Sequence, residues 1–596
     1  MPELRTPGVY FDAEQPRVAP LTLIETGVVG FIGLATRGQL DQPVKITSFR
    51  EYEDRFGPPA PQSVLSHAVG GFFENGGTKC YVLRIAHAKP DSDVRRRTDD
   101  AQQESYAQKA RLVLLDEEIE ATLELTAIDE GAWGNAVQVH IERNKGVTTL
   151  LTLDAEPGAT ELVLKRPGQI ARGSVLRLDD GEKHEYATAA DVRGKTVVLT
   201  RPLQSAFKSW SPTTVSESQF DLTVTNGTVT EKFRSLTISE SSVQHVVRVV
   251  NENSRLVRVR DLLSSTPLPG NLPRATEKQY MQGGRDGVEN VAPSDFIGYD
   301  HGPGKRRGIW AFGTVDDVDL LCIPDLMPAA EVSSGFASEA DVLAVQEALV
   351  SYCATTQEHF ALLDLPRKAT VEDALEWRRR FDSSFCAFYY PWIHIHDSHN
   401  GEAVKIIPPT GHVAGQYAQA DHAFGVYKVA ANTRIDGVFD ITVHCNEEHQ
   451  AILNDAGVNI IRAFSGPRGI RVWGARTASS DLQWRFVNVR RIFILLRKVI
   501  QVGTQWVVFE PNSHSLWKTM TRMVSNFLSE LWVKGYLRGG SPEEAFYVKC
   551  DEETNTPELR DSGHLVVEIG CAPVRPAEFI VFRISHRLEV QSGEVT

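Results

Sequence analysis

The spacing of apolar positions changes character along the chain. In the first 25 residues it has no period: Pro2, Pro7, Pro16 and Pro20 forbid a regular helix, while Val9, Phe11, Val18, Leu21 and Leu23 offer apolar contacts from an extended chain. A β-rich run, Val28-Val29-Gly30-Phe31-Ile32-Gly33-Leu34, follows. Next comes a helical stretch, Ser48-Phe49-Arg50-Glu51-Tyr52-Glu53, in which Ser48 and Glu51 have capping-box spacing. Tyr81-Val82-Leu83-Arg84-Ile85 reads as another strand, and the polar residues 91–110 as a linker or an exposed helix. From 111 to 260 the pattern is short alternation broken by turn residues, with a compact all-β insert expected at 147–215. The clearest local signal is Phe220-Asp221-Leu222-Thr223-Val224-Thr225, then Asn226-Gly227, then Thr228-Val229-Thr230, which predicts a hairpin on a type I′ turn.

After a loop-rich crossover at 264–308 the period switches. Leu320-Leu321-Cys322-Ile323, Phe360-Ala361-Leu362-Leu363-Asp364 and Phe385-Cys386-Ala387-Phe388-Tyr389-Tyr390 are continuous apolar runs. Between them lie a helix capped by Ser338 and Asp341, with the stripe Val342, Val345, Leu349, Tyr352 and Cys353, and one that opens at Thr370 and runs through Trp377. Buried strands alternating with helices predict a mostly parallel α/β sheet. At the far end, Ile580, Phe582, Ile584, Leu588 and Val590 share one face of a strand whose other positions include Phe579, Arg583, Ser585, Arg587 and Glu589. Such a strand either completes its own domain's sheet or recruits a neighbouring chain.

Composition narrows this to a multidomain globular protein. The 596 residues are 42% hydrophobic and 23% charged, which suits about four domains and argues against disorder. A net charge of −14 does not advertise nucleic-acid binding, and the N-terminus has no charged-then-apolar run of a secretory signal. Ile492-Phe493-Ile494-Leu495-Leu496 stops at Arg497, far short of a membrane span. Seven cysteines without a C-x-x-C pair read as reduced core thiols, and the whole as soluble and made inside the cell.

Candidate chemistry mostly fails on spacing. Gly302-Pro303-Gly304-Lys305 lacks the remainder of a phosphate loop, and no G-x-S-x-G elbow anchors a hydrolase triad. His394 and His396 share a strand face and His399 follows, but a polar turn explains them better than a metal does, and His444, Cys445 and His449 have no further clustered ligands. Asp179-Asp180-Gly181 reads as a hairpin turn, not a calcium loop. No catalytic set, cofactor or metal is expected. One feature resists: residues 462–498 hold Arg462, Arg468, Arg471, Arg476, Arg485, Arg490, Arg491, Arg497 and Lys498 against a lone Asp481. This basic island either meets an acidic partner or pairs with carboxylates of its own fold.

Several motifs together resemble the tail sheath proteins of contractile phage tails, R-type pyocins and extracellular contractile injection systems. They include Thr6-Pro7-Gly8-Val9-Tyr10, Gly30-Phe31-Ile32-Gly33-Leu34-Ala35 and Phe72-Phe73-Glu74-Asn75-Gly76-Gly77. Glu130-Gly131-Ala132-Trp133-Gly134-Asn135, Gly283-Gly284-Arg285-Asp286-Gly287 and Tyr389-Tyr390-Pro391-Trp392-Ile393 continue the match. Leu453-Asn454 with Gly457-Val458-Asn459, Trp473-Gly474-Ala475-Arg476-Thr477, Phe509-Glu510-Pro511-Asn512 and Pro576-Ala577-Glu578-Phe579 complete it.

The resemblance implies an α/β multidomain structural subunit that forms stacked hexameric rings around an inner tube and contracts. It divides the chain into a linking arm at 1–25, the first part of the core at 26–90, an outer β-rich domain at 91–290, an α/β core at 291–575 and a linking strand at 576–596. Inter-subunit contacts are expected from Val9, Tyr10, Phe11, Ile580, Phe582, Ile584 and Leu588, and tube contacts from Arg468, Arg471, Arg476, Arg490 and Arg491. The implied partners are further copies of the chain, the inner tube protein, the baseplate and a terminator or cap protein, with no nucleic acid and no membrane insertion. Assembly is expected in the bacterial cytoplasm, as part of a phage tail or tail-like particle. An envelope-acting hydrolase built on the α/β domain is the alternative.

Overall fold

The computed structural model describes residues 20–578 except 61, 90–105, 145, 147, 169, 268, 398 and 402. The arm positions Val9, Tyr10 and Phe11, the strand positions Ile580, Phe582, Ile584 and Leu588, and most of the polar stretch 91–110 therefore lie outside the described residues.

An eight-stranded sheet forms the centre. Its strands, numbered in chain order, are β1 (Val29–Gly33), β2 (Val44–Ile46), β3 (Cys80–Arg84), β4 (Leu320–Cys322), β5 (Phe360–Asp364), β6 (Cys386–Tyr390), β7 (Val458–Phe464) and β8 (Gly469–Trp473). Their spatial order is β2-β3-β1-β4-β5-β6-β7-β8. The six inner strands are parallel, and β2 and β8 close the two edges antiparallel. Every residue of β1, β4, β5 and β6 is buried, as continuous apolar runs require when helices cover both faces. The N-terminal strands thus share one core with strands almost 300 residues later: Val29 pairs with Leu320 across the β1–β4 junction.

The helices start where their caps direct. In α1 (Phe49–Phe56) Ser48 Oγ accepts the Glu51 N–H at 3.2 Å, but the Glu51 carboxylate turns back one residue further than a capping box requires, to the Thr47 N–H at 3.0 Å. Two other helices take their caps from elsewhere in the fold. Asp325, fully buried, accepts from Val64 and Leu65 N–H at the start of α2 (Leu65–Glu74), and from Leu34 N–H and Ser63 Oγ. Asp364, at the end of β5, accepts from Thr410 N–H and Oγ1 at the start of α5 (Thr410–Ala423), with α3 (Glu339–Thr356) and α4 (Val371–Arg379) preceding it. Burial pushes both carboxyls up; four donors hold Asp325 at about 6, whereas two leave Asp364 at about 7. Helices α2 and α5 approach very closely. A Cβ on Gly71 would lie 2.2 Å from the His412 ring, and one on Gly411 would lie 2.6 Å from Ala68.

The chain between β3 and β4 builds outward in β-structure. A four-stranded sheet (Thr230–Leu236, Gln219–Thr225, Gln138–Asn144, Thr276–Tyr280) and a three-stranded one (Val257–Asp261, Ala121–Ala127, Arg111–Leu115) enclose their own core of Leu125, Val139, Phe220, Leu222 and Val250. Within this region a six-stranded sheet spanning 148–217 has a further core around Leu162, Leu176, Val197 and Phe207. The predicted hairpin forms, with one correction. Thr225 pairs with Thr230, so the turn spans 226–229 and strand pairing does not resume at Thr228. Asn226 avoids the positive φ of a type I′ turn; its side chain accepts from the Thr228 and Val229 N–H groups instead, and Gly227 alone takes φ +93°.

The stretch expected as one α/β core divides into two apolar clusters. The second contains α7 (Val487–Gly503), α8 (His514–Val533) and a two-stranded sheet, β9 (Phe546–Lys549) with β10 (Glu568–Cys571); α6 (Glu447–Ala456) precedes β7 in the first. Leu21 joins this second cluster. Among the described residues no helix is long and apolar enough to cross a membrane.

Candidate interaction surfaces

The groups that suggested chemistry are held in local structure. Gly302 to Gly304 form the turn of a hairpin between Tyr299–Asp300 and Arg306–Arg307; Asp300 fills it, accepting from Gly302 N–H at 2.8 Å and pairing with Arg306 at 3.1 Å. His394 and His396 lie in the strand Ile393–Asp397, where His396 stacks on Phe439 at 4.4 Å, and His399 turns away to Glu53 at 3.6 Å. The closest histidine–carboxylate pair there, His67 Nε2 to Asp397 Oδ1 at 3.1 Å, joins residues 330 positions apart and left no sequence signal. Among the described residues no three His, Cys, Asp or Glu side chains are grouped to hold a metal. The seven cysteines are all free thiols; burial pushes Cys386 up to about 12. A cleft of about 710 Å³ lies between core and outer β-structure, and within it Arg307 pairs with Asp41 at 3.3 Å and Lys109 with Glu130 at 3.9 Å. The hydrolase alternative finds no support in these arrangements.

The basic island splits in two. On α7 the stripe Val487, Asn488, Arg491, Ile492, Leu495, Lys498 and Val499 faces inward, so two cations of the island belong to the core. Arg491 is 3% exposed and is held by Asp421 (2.9 and 2.5 Å) and by Asp319 (2.5 Å), which raise its pKa further above the usual arginine value. Lys498 donates to the Val318 and Asp316 carbonyls. Arg490 lies over Trp484 at 3.6 Å and Phe385 at 4.2 Å and donates to Ser384 Oγ; desolvation pushes it down to about 10. Arg476, 3% exposed, is bound to Glu578 and to the Asn454 carbonyl. Arg476 and Arg491, expected at the tube, are buried within the subunit and paired with its own carboxylates, whereas Arg490 stays partly exposed.

The hairpin β7–β8 carries Arg462, Arg468 and Arg471, while Arg485 lies just before α7 and Arg497 is exposed on it. Arg468 lies 4.0 Å above the Phe464 ring and near Trp473, while Arg471 donates to the Asn432 and Arg468 carbonyls and stays partly exposed. Arg434, outside the island, joins them because 432–435 runs beside β8: Asn432 N–H donates to Val472 O, and Ile435 N–H to Ile470 O. It pairs with Asp436 at 3.5 Å.

The first and last described stretches, 21–27 and 574–578, are held by the core and by α7. Leu21 packs so close to Gly503 that a Cβ there would lie 2.1 Å from it, Glu25 pairs with Lys79 at 2.6 Å, and Gly27 N–H donates to Asp319. At the other end Val574 O accepts from Asn488 Nδ2 at 2.9 Å and Glu578 is held by Arg476. Beside them the β9–β10 sheet pairs Phe546 with Cys571 through Lys549 with Glu568, and among the described residues neither strand pairs with a third one. Four residues per strand are too few for an independent sheet, and α8 supports one face.

Comparison with known proteins places the chain. Residues 329–478 match the phage tail sheath protein central domain, and 479–587 match the phage tail sheath C-terminal domain. The putative prophage major tail sheath protein of Pseudomonas aeruginosa is 27% identical over 303 residues, which are 49% of this chain and 72% of that one. The helical sheath of the anti-feeding prophage in its contracted state is 19% identical, with a TM-score of 0.51 over 98% of this chain and 99% of that one. The sheath tail protein of Listeria innocua, 12% identical, gives 0.53 over 90% of each chain. At such identities the structural likeness concerns the fold: a multidomain mixture of α and β.

Proposed function

We propose, because the chain belongs to the contractile tail sheath family, that it is a structural sheath subunit that polymerises as stacked hexameric rings around an inner tube and shortens to drive that tube through a target envelope. The observation that carries the reading is the two-stranded β9–β10 sheet, neither strand of which pairs with a third strand among the described residues. Residues 1–19 and 579–596 of neighbouring copies supply the missing strands: backbone pairing gives strength, and the alternating face of Ile580, Phe582, Ile584 and Leu588 gives register. Val9, Tyr10 and Phe11 play the same part from the other end.

In this reading the α/β core lies toward the tube and the β-structure of 106–290, with its nested sheet, faces outward. Tube contact falls to Arg468 and Arg471, with Arg434 beside them, the basic side chains at the sheet edge that still face solvent. The role is structural, not enzymatic. The extended sheath is a metastable polymer assembled in the bacterial cytoplasm on a baseplate and closed by a terminator or cap protein. Contraction needs no nucleotide, because the energy is stored in subunit contacts at assembly. Electron microscopy of the purified chain tests this: hollow, ridged cylinders are expected, and compact monomers at every concentration would overturn it.

A further inference from the structure

Three stretches far apart in the chain converge on one ion pair. Arg476 follows β8, and its guanidinium meets the Glu578 carboxylate in a two-bond fork, Nε to Oε1 at 3.0 Å and Nη2 to Oε2 at 2.5 Å. Its remaining nitrogen, Nη1, donates to the Asn454 carbonyl at 2.8 Å at the end of α6, with Asp455 at 3.5 Å. The backbone that carries it is braced from β7: Asn459 Oδ1 accepts the Arg476 N–H at 2.7 Å, and Asn459 Nδ2 donates to the Arg476 and Phe388 carbonyls. Gly474 permits this, because a Cβ there would lie 2.7 Å from Asn459 Oδ1. The arginine side chain is 4% exposed, that of Glu578 20%. The sheet thus spends a buried asparagine, a glycine and an arginine on holding a glutamate beyond its last strand.

Glu578 neutralises the buried Arg476, yet its place in the chain suits a second role. Glu578 lies seven residues past β10 and contributes nothing to an apolar cluster. What it does control is the point from which 579–596 continue. We propose that the Arg476–Glu578 fork is a clamp that fixes the position and direction in which the C-terminal segment leaves its own subunit, making Arg476 and Glu578 positioning residues for the link to the next one. A bidentate guanidinium–carboxylate pair fixes orientation as well as distance, which a single hydrogen bond or an apolar contact would not. A linking strand that leaves in a defined direction loses less freedom when it pairs, so each junction closes at lower concentration. This rests on the linking-arm reading given above.

The experiment compares the full-length chain, Glu578→Ala, Glu578→Asp, the double variant Arg476→Ala with Glu578→Ala, and a truncation ending at Glu578. The readouts are sedimentation across concentration, electron microscopy of the pellets and the thermal midpoint of unassembled protein. The truncation is expected to lose all sedimentable polymer. Glu578→Ala is expected to raise the concentration needed for assembly about tenfold and to give short, irregular cylinders, with a lowered thermal midpoint because Arg476 stays buried without its carboxylate. The double variant Arg476→Ala with Glu578→Ala strands no charge, so its midpoint moves back toward the parent while the assembly defect stays. Glu578→Asp, which keeps the charge, recovers most of the loss. If the truncation fails to polymerise while Glu578→Ala assembles like the full-length chain, the clamp is overturned and the linking reading stands. A truncation that still polymerises sinks the linking reading, and the clamp with it. An aspartate variant no better than alanine, or a double variant that assembles like the full-length chain once its midpoint recovers, also overturns the clamp: the first would remove the ionic basis, the second would make the defect one of subunit stability.

Discussion

The hairpin β7–β8 and the helix α7 are both rich in arginine, lie within forty residues of each other, and use their charge in opposite ways. On the hairpin, Arg468 and Arg471 rest on aromatic rings and carbonyls and keep their guanidinium groups toward solvent. On α7, Arg491 is enclosed by Asp319 and Asp421 and functions as part of the core. The lesson is that a charge run marks a partner surface only after internal carboxylates have been subtracted. In this chain those carboxylates come from the start of β4 and from the end of α5.

The contrast predicts a large difference in stability. Arg491→Ala strands two buried carboxylates and is expected to cost about 3–5 kcal/mol in chemical denaturation. A loss below about 1 kcal/mol would mean that water reaches the site, and the contrast would collapse. Next in size is a buried carboxyl held by two neutral donors, Thr410 N–H and Oγ1. Asp364 is raised from 3.8 to about 7, so the folded state takes up its proton more readily than the unfolded one. Its contribution to stability is then fully present below the unfolded value and lost as pH rises through about 7, at a slope of up to about 1.4 kcal/mol per pH unit. Asp364→Asn should flatten that part of the profile in urea titrations at pH 4, 5.5 and 7; two parallel profiles would refute it.

Arg490 lies between the extremes. Arg490→Ala removes the stack on Trp484 and Phe385 and is expected to cost about 1–2 kcal/mol, little affected by salt. The smallest effect on the subunit belongs to the hairpin: Arg468→Glu with Arg471→Glu should alter stability by less than about 0.5 kcal/mol. The same pair should weaken cosedimentation with tubes, and the difference from the parent should vanish near 1 M salt, where the screening length falls to about 3 Å. If the double variant unfolds the chain instead, the hairpin arginines are structural and the two regions are alike.

Much of the central sheet was legible along the chain. The apolar runs at 320–323, 360–364 and 385–390 became β4, β5 and β6, because a strand buried on both faces needs no partner information to be recognised. The caps at Thr370 and Ser338 likewise act within three residues. The hairpin at 226–229 was legible as a hairpin but not in its turn type, since Asn226 could serve either through its backbone or its side chain and took the second. The strands β7 and β8 hid inside the basic island, where the alternation of Arg462, Arg471 and Trp473 with buried Ile461 and Val472 reads as charge before it reads as a sheet edge.

Local order was written into neighbouring residues: where strands and helices start, which runs are buried on both sides, and that 148–217 forms a β-unit with its own core. The direction in which a given cation faces was decided elsewhere. Arg491 and Asp319 are separated by 172 residues, and Arg476 and Glu578 by 102. A charge buried without its partner costs several kcal/mol, so an arginine turns inward only where the folded chain brings carboxylates to it, and that meeting exists only in three dimensions.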